Sequence, residues 1–396
     1  MDAINKKKLE GNIWKFYLHN VLSGMFFAVP VMVLFWQENG LSLTEIMVLQ
    51  SLFAIATVIL EIPSGYFADI QGRKKTLVLA GSTLFVAMSV YCMGHGFFHF
   101  FIAEMIFAVS VSLTSGTTAA LIYDTLENLK REDAYKKIWG TAQFWGMLAL
   151  AVSNMMGGLI AKIDLRYALY ASLPFFALLI PLTLSMQEPQ RRKLIIEKGY
   201  TKELLNVIRV ALLDNEKLRW IITYSGIIYA FNQSVLWLYQ PYFKLTGLDI
   251  VYFGFVFATF QTVAALSSRY AYEIEDMLGQ RVSLSMLIFM IAASYFLMSS
   301  FVFIFSFSFC FLQQFVRGFR NTVISDYINK LTPSSMRATI LSTETFVGRL
   351  SYAAIIPLIG WIADVYTLVQ ALMVLAVSTL ITGTVVLMIL HKKEVI

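Results

Sequence analysis

The chain has 396 residues, of which 58% are hydrophobic and only 14% charged, and its mean hydropathy is +0.68. A water-soluble domain has too much surface for its volume to hide that share of apolar side chains, so lipid is the solvent for most of this sequence. The formal net charge of +6 comes from basic residues gathered between apolar runs, and it implies no nucleic-acid partner.

Runs of about 20 apolar residues suffice to cross a hydrocarbon core. Taken in order, they predict twelve spans, over 12–36, 43–68, 76–94, 99–126, 136–160, 166–186, 218–243, 249–272, 282–299, 301–328, 338–362 and 366–390. The start, Met1 to Glu10, is polar and basic, and the run that follows is longer than a cleaved signal peptide, so a retained first span is expected. When loops are counted alternately, only Lys162, Arg166 and Lys244 of the 31 basic residues fall opposite the N-terminus, while Lys15, Arg317, Arg320 and Arg349 fall inside spans. The bias predicts both termini on the cytoplasmic face of an inner membrane. Cys92 and Cys310 lie far apart inside apolar runs and read as packing residues, and no metal-ligand cluster or nucleotide-binding glycine loop is visible.

The second and third spans are joined by Glu61-Ile62-Pro63-Ser64-Gly65-Tyr66-Phe67-Ala68-Asp69-Ile70-Gln71-Gly72-Arg73-Lys74-Lys75. Gly65 and Gly72 permit close backbone approach and a sharp turn, and the basic triplet holds the turn in the cytoplasm. This Gly-x-x-x-Asp-x-x-Gly-Arg-Lys pattern resembles the loop signature of the major facilitator superfamily of secondary transporters. The Glu-Ile-Pro-Ser-Gly before it is similar to a subgroup rich in prokaryotic drug and small-solute exporters. The resemblance implies an all-α membrane protein of two pseudo-symmetric six-helix bundles, 1–186 and 218–396, joined by a cytoplasmic linker, 187–217.

That linker opens Gln-Glu-Pro-Gln-Arg-Arg-Lys and continues through Leu204, Leu205, Ile208 and Leu212, a pattern that predicts a helix on the membrane surface. After the eighth span, Glu273 to Arg281 reads as a worn copy of the Asp69–Arg73 loop. The stretch from Asn329 to Ser342 reads as a turn and helix start matching Asn128 to Lys137 in the first half. Related halves packed about a site near the midplane suit alternating access.

The resemblance implies a gate made of Gly65, Asp69, Gly72, Arg73 and Asp124. Asp124 ends the fourth span within reach of Arg73, and Asp69 is expected to meet the exposed N–H groups at the start of the eleventh helix. Ionisable groups inside spans are candidates for function: Glu61 and Glu104 in the first half, Arg317, Arg320, Glu344 and Arg349 in the second. One reading pairs Arg349 with Glu344 and has Arg317 and Arg320 brace helices. The other has the arginines attract an anionic group while a glutamate, Glu104 first, carries a proton. Asn20 on the first span, with Tyr224, Asn232, Gln233 and Trp237 on the seventh, could line an aromatic cavity for amphipathic molecules. Gly140, Gly146, Gly157 and Gly158 on the fifth span permit close packing, without the proline of the family's antiporters.

The sequence therefore predicts a monomeric transporter of a small-molecule solute, without cofactor and driven by the proton gradient, with efflux of drug-like or amphipathic compounds as the leading reading. Transport of an anionic metabolite and a transporter-like sensor are the rivals. Paired catalytic carboxylates, histidine clusters and nucleophile triads are missing, which argues against an enzyme.

Overall fold

The structure, a computed structural model, describes residues 3–190, 209–333 and 336–393, and these are helical with short connections. In lipid every backbone polar group needs a partner within the protein, and helices supply one for each. The helices are α1 (Ala3–Gly24), α2 (Met32–Glu38), α3 (Leu43–Gln71), α4 (Arg73–Met93), α5 (Gly96–Thr114), α6 (Thr117–Asn128), α7 (Tyr135–Ala161) and α8 (Leu165–Ser185), then α9 (Glu216–Ser234), α10 (Tyr239–Leu245), α11 (Ile250–Arg269), α12 (Ala271–Ser300), α13 (Cys310–Lys330), α14 (Arg337–Val365) and α15 (Leu368–Lys392).

Ten stretches among the described residues are long and apolar enough to cross a membrane. Two of the twelve expected spans do not qualify, for visible reasons. The seventh is too polar, since it opens on Glu216, Lys217 and Arg219 and carries Asn232 and Gln233 just before it breaks after Ser234 and resumes as α10. The tenth begins at Cys310 rather than at residue 301, after a 3₁₀ turn over Ile304–Phe309, and is too polar because it carries Arg317, Arg320, Gln313 and Gln314. The first and fourth spans are interrupted too, the first by the turn around Pro30 and the fourth at Gly116. The surface helix expected in the linker falls largely on residues 191–208, outside the described part. Leu212 sits in a π-helical turn, Val210–Asp214. Ser334 and Ser335 of the second-half turn are likewise outside it.

The chain forms two compact units: Met1–Leu41 with Ile55–Ile195 and Ile250–Ala258, and Ser42–Ala54 with Ile196–Asp249 and Thr259–Ile396. Two helix heads, Ile250–Ala258 and Ser42–Ala54, fall in the unit opposite the rest of their helices, and each has a close glycine contact there. In the first unit the head of α11 lies against α7, where a Cβ on Gly254 would fall 2.0 Å from the Asn154 carbonyl oxygen. In the second unit the head of α3 lies against α14, where a Cβ on Gly360 would fall 2.8 Å from the Leu43 carbonyl oxygen. Helices meet this closely only where one presents no side chain.

The repeat is preserved in the backbone. Gly72 ends the α3–α4 turn at φ 109°, and Gly279, its counterpart in the worn copy, sits at φ 73°. The expected loop from Glu273 to Arg281 is therefore two helical stretches meeting at Gly279 within α12. Both positions lie in the left-handed region that glycine enters without strain.

Within the second unit α11 and α13 cross in backbone contact, with the Cα of Gly318 facing the Ala264 carbonyl so that a Cβ would approach its oxygen to 2.0 Å. Ser267 reinforces the crossing by donating to the Phe315 carbonyl at 2.6 Å. Gly318→Ala is expected to force the helices apart at a cost of roughly 1–3 kcal/mol. A thermal unfolding curve of the detergent-purified variant measures it, and an unchanged midpoint would contradict the crossing.

Candidate functional site

The first group of charged residues lies where α3, α6 and α8 end and α4 begins. Arg73 opens α4 one helical turn past Asp69, and its guanidinium meets the Asp69 carboxylate at 2.8 Å and that of Asp124 at 3.6 Å. A core of Phe16, Ile122, Leu126, Ile138 and Ala142 fixes α6 against α1 and α7, which sets the position of Asp124. Asn12, fully buried, ties α1 to the Thr125 hydroxyl and to both backbone groups of Gln187. It delivers the chain after α8 to the same place.

The next residue, Glu188, belongs to no motif in the sequence. Its carboxylate accepts from the backbone N–H of Arg73 at 2.9 Å and of Lys74 at 2.7 Å. A helix start leaves such N–H groups without intrahelical partners and favours an anion. Any side chain at position 72 would strike it, since a Cβ there would lie 2.9 Å from Glu188 Oε1. Gly72 is thus required by its φ, and a larger residue there would also push the Glu188 carboxylate aside. Gly65, by contrast, has open space where a Cβ would be.

Two other first-unit carboxylates were candidates. Glu104, on α5, is only 3% exposed and faces Tyr91 of α4. The Tyr91 ring stacks on Phe100 at 5.7 Å and lies 6.4 Å from Trp36, which places the carboxylate beside a cluster of aromatic rings. Glu61 is half-buried on α3, and its carbonyl accepts from Ser64 just past the internal Pro63. Asn20 spends its amide on the Phe16 carbonyl of its own helix at 2.9 Å, beside the close approach of α7 at Gly146.

The second unit gathers its charges on α9, α13 and α14. Arg320 forms an ion pair with Glu344, and Ser225 binds both partners. Glu344 is therefore committed to Arg320, which corrects the reading that pairs it with Arg349, five residues along its own helix. Arg320 also lies over the Tyr229 ring, 5.1 Å from its centroid, a cation–π contact. The Tyr229 hydroxyl reaches Arg349, its ring meets Tyr352 edge-on at 6.4 Å, and the Tyr352 hydroxyl accepts from the Trp237 indole at 2.8 Å. Arg320, Glu344, Arg349 and Trp237 are thus brought into one network.

Tyr224 does not join it. It is fully buried and its hydroxyl is spent on the Leu284 carbonyl at 2.6 Å, which makes it a brace between α9 and α12. Asn232 donates to the carbonyl and side chain of Gln313 at 2.9 and 2.8 Å, and Gln233 beside it is half-buried. Arg317 sits apart, with its guanidinium on Gln261 Oε1 of α11 at 2.6 Å.

At the other end of α3, inside the second unit, Asp364 caps the helix start. It accepts from the N–H groups of Leu43 at 3.1 Å and Thr44 at 2.6 Å, and from the Thr44 hydroxyl at 2.5 Å. Among the described residues no group of three or more His, Cys, Asp or Glu is placed to hold a metal ion.

Helical spans, paired intramembrane charges and a charged turn at a left-handed glycine define the class: a polytopic helical membrane transporter. Residues 18–353 match the profile of the Major Facilitator Superfamily, and the chain belongs to that family, whose members are secondary transporters rather than enzymes. The chain is 22% identical over 385 residues to the uncharacterized MFS-type transporter YxaM of Bacillus subtilis (strain 168), covering 92% of this chain and 93% of that one. It is 24% identical over 307 residues to the uncharacterized MFS-type transporter MJ1560 of Methanocaldococcus jannaschii, covering 74% and 75%. Its fold is similar to a crystal structure of a point variant of the nucleoside transporter NupG, at a TM-score of 0.82 and 15% identity, covering 96% and 98%.

The Arg320–Glu344 pair has side chains only 10% and 13% exposed. Removing one partner leaves a buried charge uncompensated, and Glu344→Gln is expected to destabilise the protein by about 3–5 kcal/mol. Replacing both, Arg320→Gln with Glu344→Gln, is expected to recover most of that loss. Unfolding midpoints of the three variants check the pairing, and equal losses in single and double variants would contradict it.

Proposed function

We propose that the protein exchanges protons for a small amphipathic organic solute by alternating access, with efflux from the cytoplasm as its direction. It works as a monomer in the inner membrane with both termini in the cytoplasm. The observation that carries the reading is Glu104, a carboxylate buried at 3% exposure among aromatic rings within a membrane span. An ionisable group embedded in a span is costly and marks a candidate for proton movement, and a group that gains and loses a proton as its surroundings change can couple that movement to the solute.

In this reading the second unit holds the solute, through the aromatic and polar side chains of α9, α13 and α14. Asp69, Arg73 and Asp124, turned by Gly65 and Gly72 and buttressed by Glu188, act as the cytoplasmic gate. The Asp364 cap on the head of α3 is the same carboxylate-to-helix-start chemistry at the opposite end of that helix. Contacts of this kind, made in one conformation and broken in the other, bias which side is open. The nucleoside transported by the structural relative belongs in any solute screen as the neutral, hydroxyl-rich arm.

The experiment is a solute screen in vesicles carrying an imposed pH gradient, with internal pH read by a trapped dye. Glu104→Gln is expected to lower gradient-driven flux at least about tenfold, the scale of an intramembrane proton-carrier loss. Undiminished flux in that variant would overturn the proton assignment. Asp69→Asn and Arg73→Ala are expected to cripple flux while leaving normal amounts of protein in the membrane. A sensor would keep its output in both.

A further inference from the structure

Among the embedded arginines, Arg317 is provided for differently. Arg320 has a carboxylate, and Arg349 shares the network around Tyr229. Arg317 lies on α13 at the α11 crossing and hydrogen-bonds the neutral amide of Gln261, with Tyr239 as its other electrostatic neighbour. Among the described residues no carboxylate stands within ion-pair distance of it. A guanidinium carries five N–H donors and keeps its charge at any physiological pH, and one amide oxygen leaves most of those donors unused.

One helical turn earlier, Gln314 is only 4% exposed. Its Nε2 donates to the Tyr239 hydroxyl at 2.8 Å, and its Oε1 is buried without a hydrogen-bond partner. Residues three apart share a helix face. The face therefore presents a cation with spare donors beside an acceptor with no donor. Both deficits are met by one kind of ligand: an anionic oxygen pair for the guanidinium and an adjacent hydroxyl or amine for the amide oxygen.

The setting is rigid. The backbone contact at Gly318 and the Ser267 bond to the Phe315 carbonyl lock α11 to α13 immediately beside the pair. Those contacts already hold the crossing, so a buried charge is not needed as a staple.

We propose that Arg317, Gln261 and Gln314 form the subsite for the anionic head of the transported solute, a carboxylate or phosphate with a hydrogen-bond donor beside it. The inference rests on the reading that the second unit holds the solute. It gives the amphipathic molecule a charged end.

The test is thermal unfolding of the purified full chain in detergent with salicylate, mandelate and phenyl phosphate, against the neutral probes salicylamide, benzyl alcohol and uridine. The anions are expected to raise the midpoint in a dose-dependent way and the neutral probes to leave it unchanged. Arg317→Gln is expected to abolish that shift without lowering the midpoint of the unliganded protein, because it removes an embedded charge. Arg317→Lys, which keeps the charge and loses the fork, and Gln314→Leu are expected to weaken anion affinity at least about tenfold. A helix staple predicts the opposite, a lowered midpoint in Arg317→Gln. The proposal is overturned if no anion shifts the wild type, if neutral probes act equally, or if Arg317→Gln keeps the shift. It is overturned too if only phosphatidylglycerol reproduces the shift, since that assigns the arginine to lipid. Glu104→Gln is expected to retain the anion shift, so failure of proton coupling and failure of this subsite give different results.

Discussion

A charged group inside a membrane span must be compensated, and that requirement organises the polar part of this protein. Each embedded charge is costly in hydrocarbon unless a counter-charge, a ring of hydrogen-bonding groups or a ligand meets it. Arg320 and Glu344 compensate one another and draw Ser225 and Tyr229 into the same knot, which binds α9, α13 and α14 together. Apolar helices in lipid have no hydrophobic reason to associate, so such knots and the glycine contacts carry the packing. Gly254 on Asn154, Gly318 on Ala264 and Gly360 on Leu43 bring backbones to distances no larger residue allows.

Much of this was legible in the sequence because it is local. Apolar run length located the helices, and the Gly72-Arg73-Lys74 turn appeared where its spacing put it. Arg73 also met Asp124, a pairing that the family resemblance implied. The misreadings have a common cause. Polar residues shorten or break a span without removing it, so the tenth helix starts at Cys310 and the seventh stops at Ser234. Periodicity of apolar residues cannot register such a break.

The partners of the site were not legible, because they are set by the fold and come from distant parts of the chain. Glu344 lies five residues from Arg349 and 24 from Arg320, yet the ion pair is with Arg320. Glu188 reaches the start of α4 across 115 positions, and Asp364 reaches the start of α3 across 321. Some trace was present: Glu188 is the one acid in the Gln-Glu-Pro run that ends the sixth span, and Gln261 is a solitary amide in an apolar helix. Neither signal names its partner.

The two related turns carry a further consequence. Gly72 and Gly279 hold the same left-handed bend, but where the first copy places Arg73 the second places Gln280. The bend is common to both corners, and the residue that follows it is not. An arginine locked to an aspartate responds to ionic strength, whereas a neutral amide is blind to it. The first corner thus carries an arginine–aspartate pair that dissolved salt screens, while the matching position of the second is a neutral amide flanked by Asp276 and Arg281, so the charges of the two corners are laid out differently around one bend.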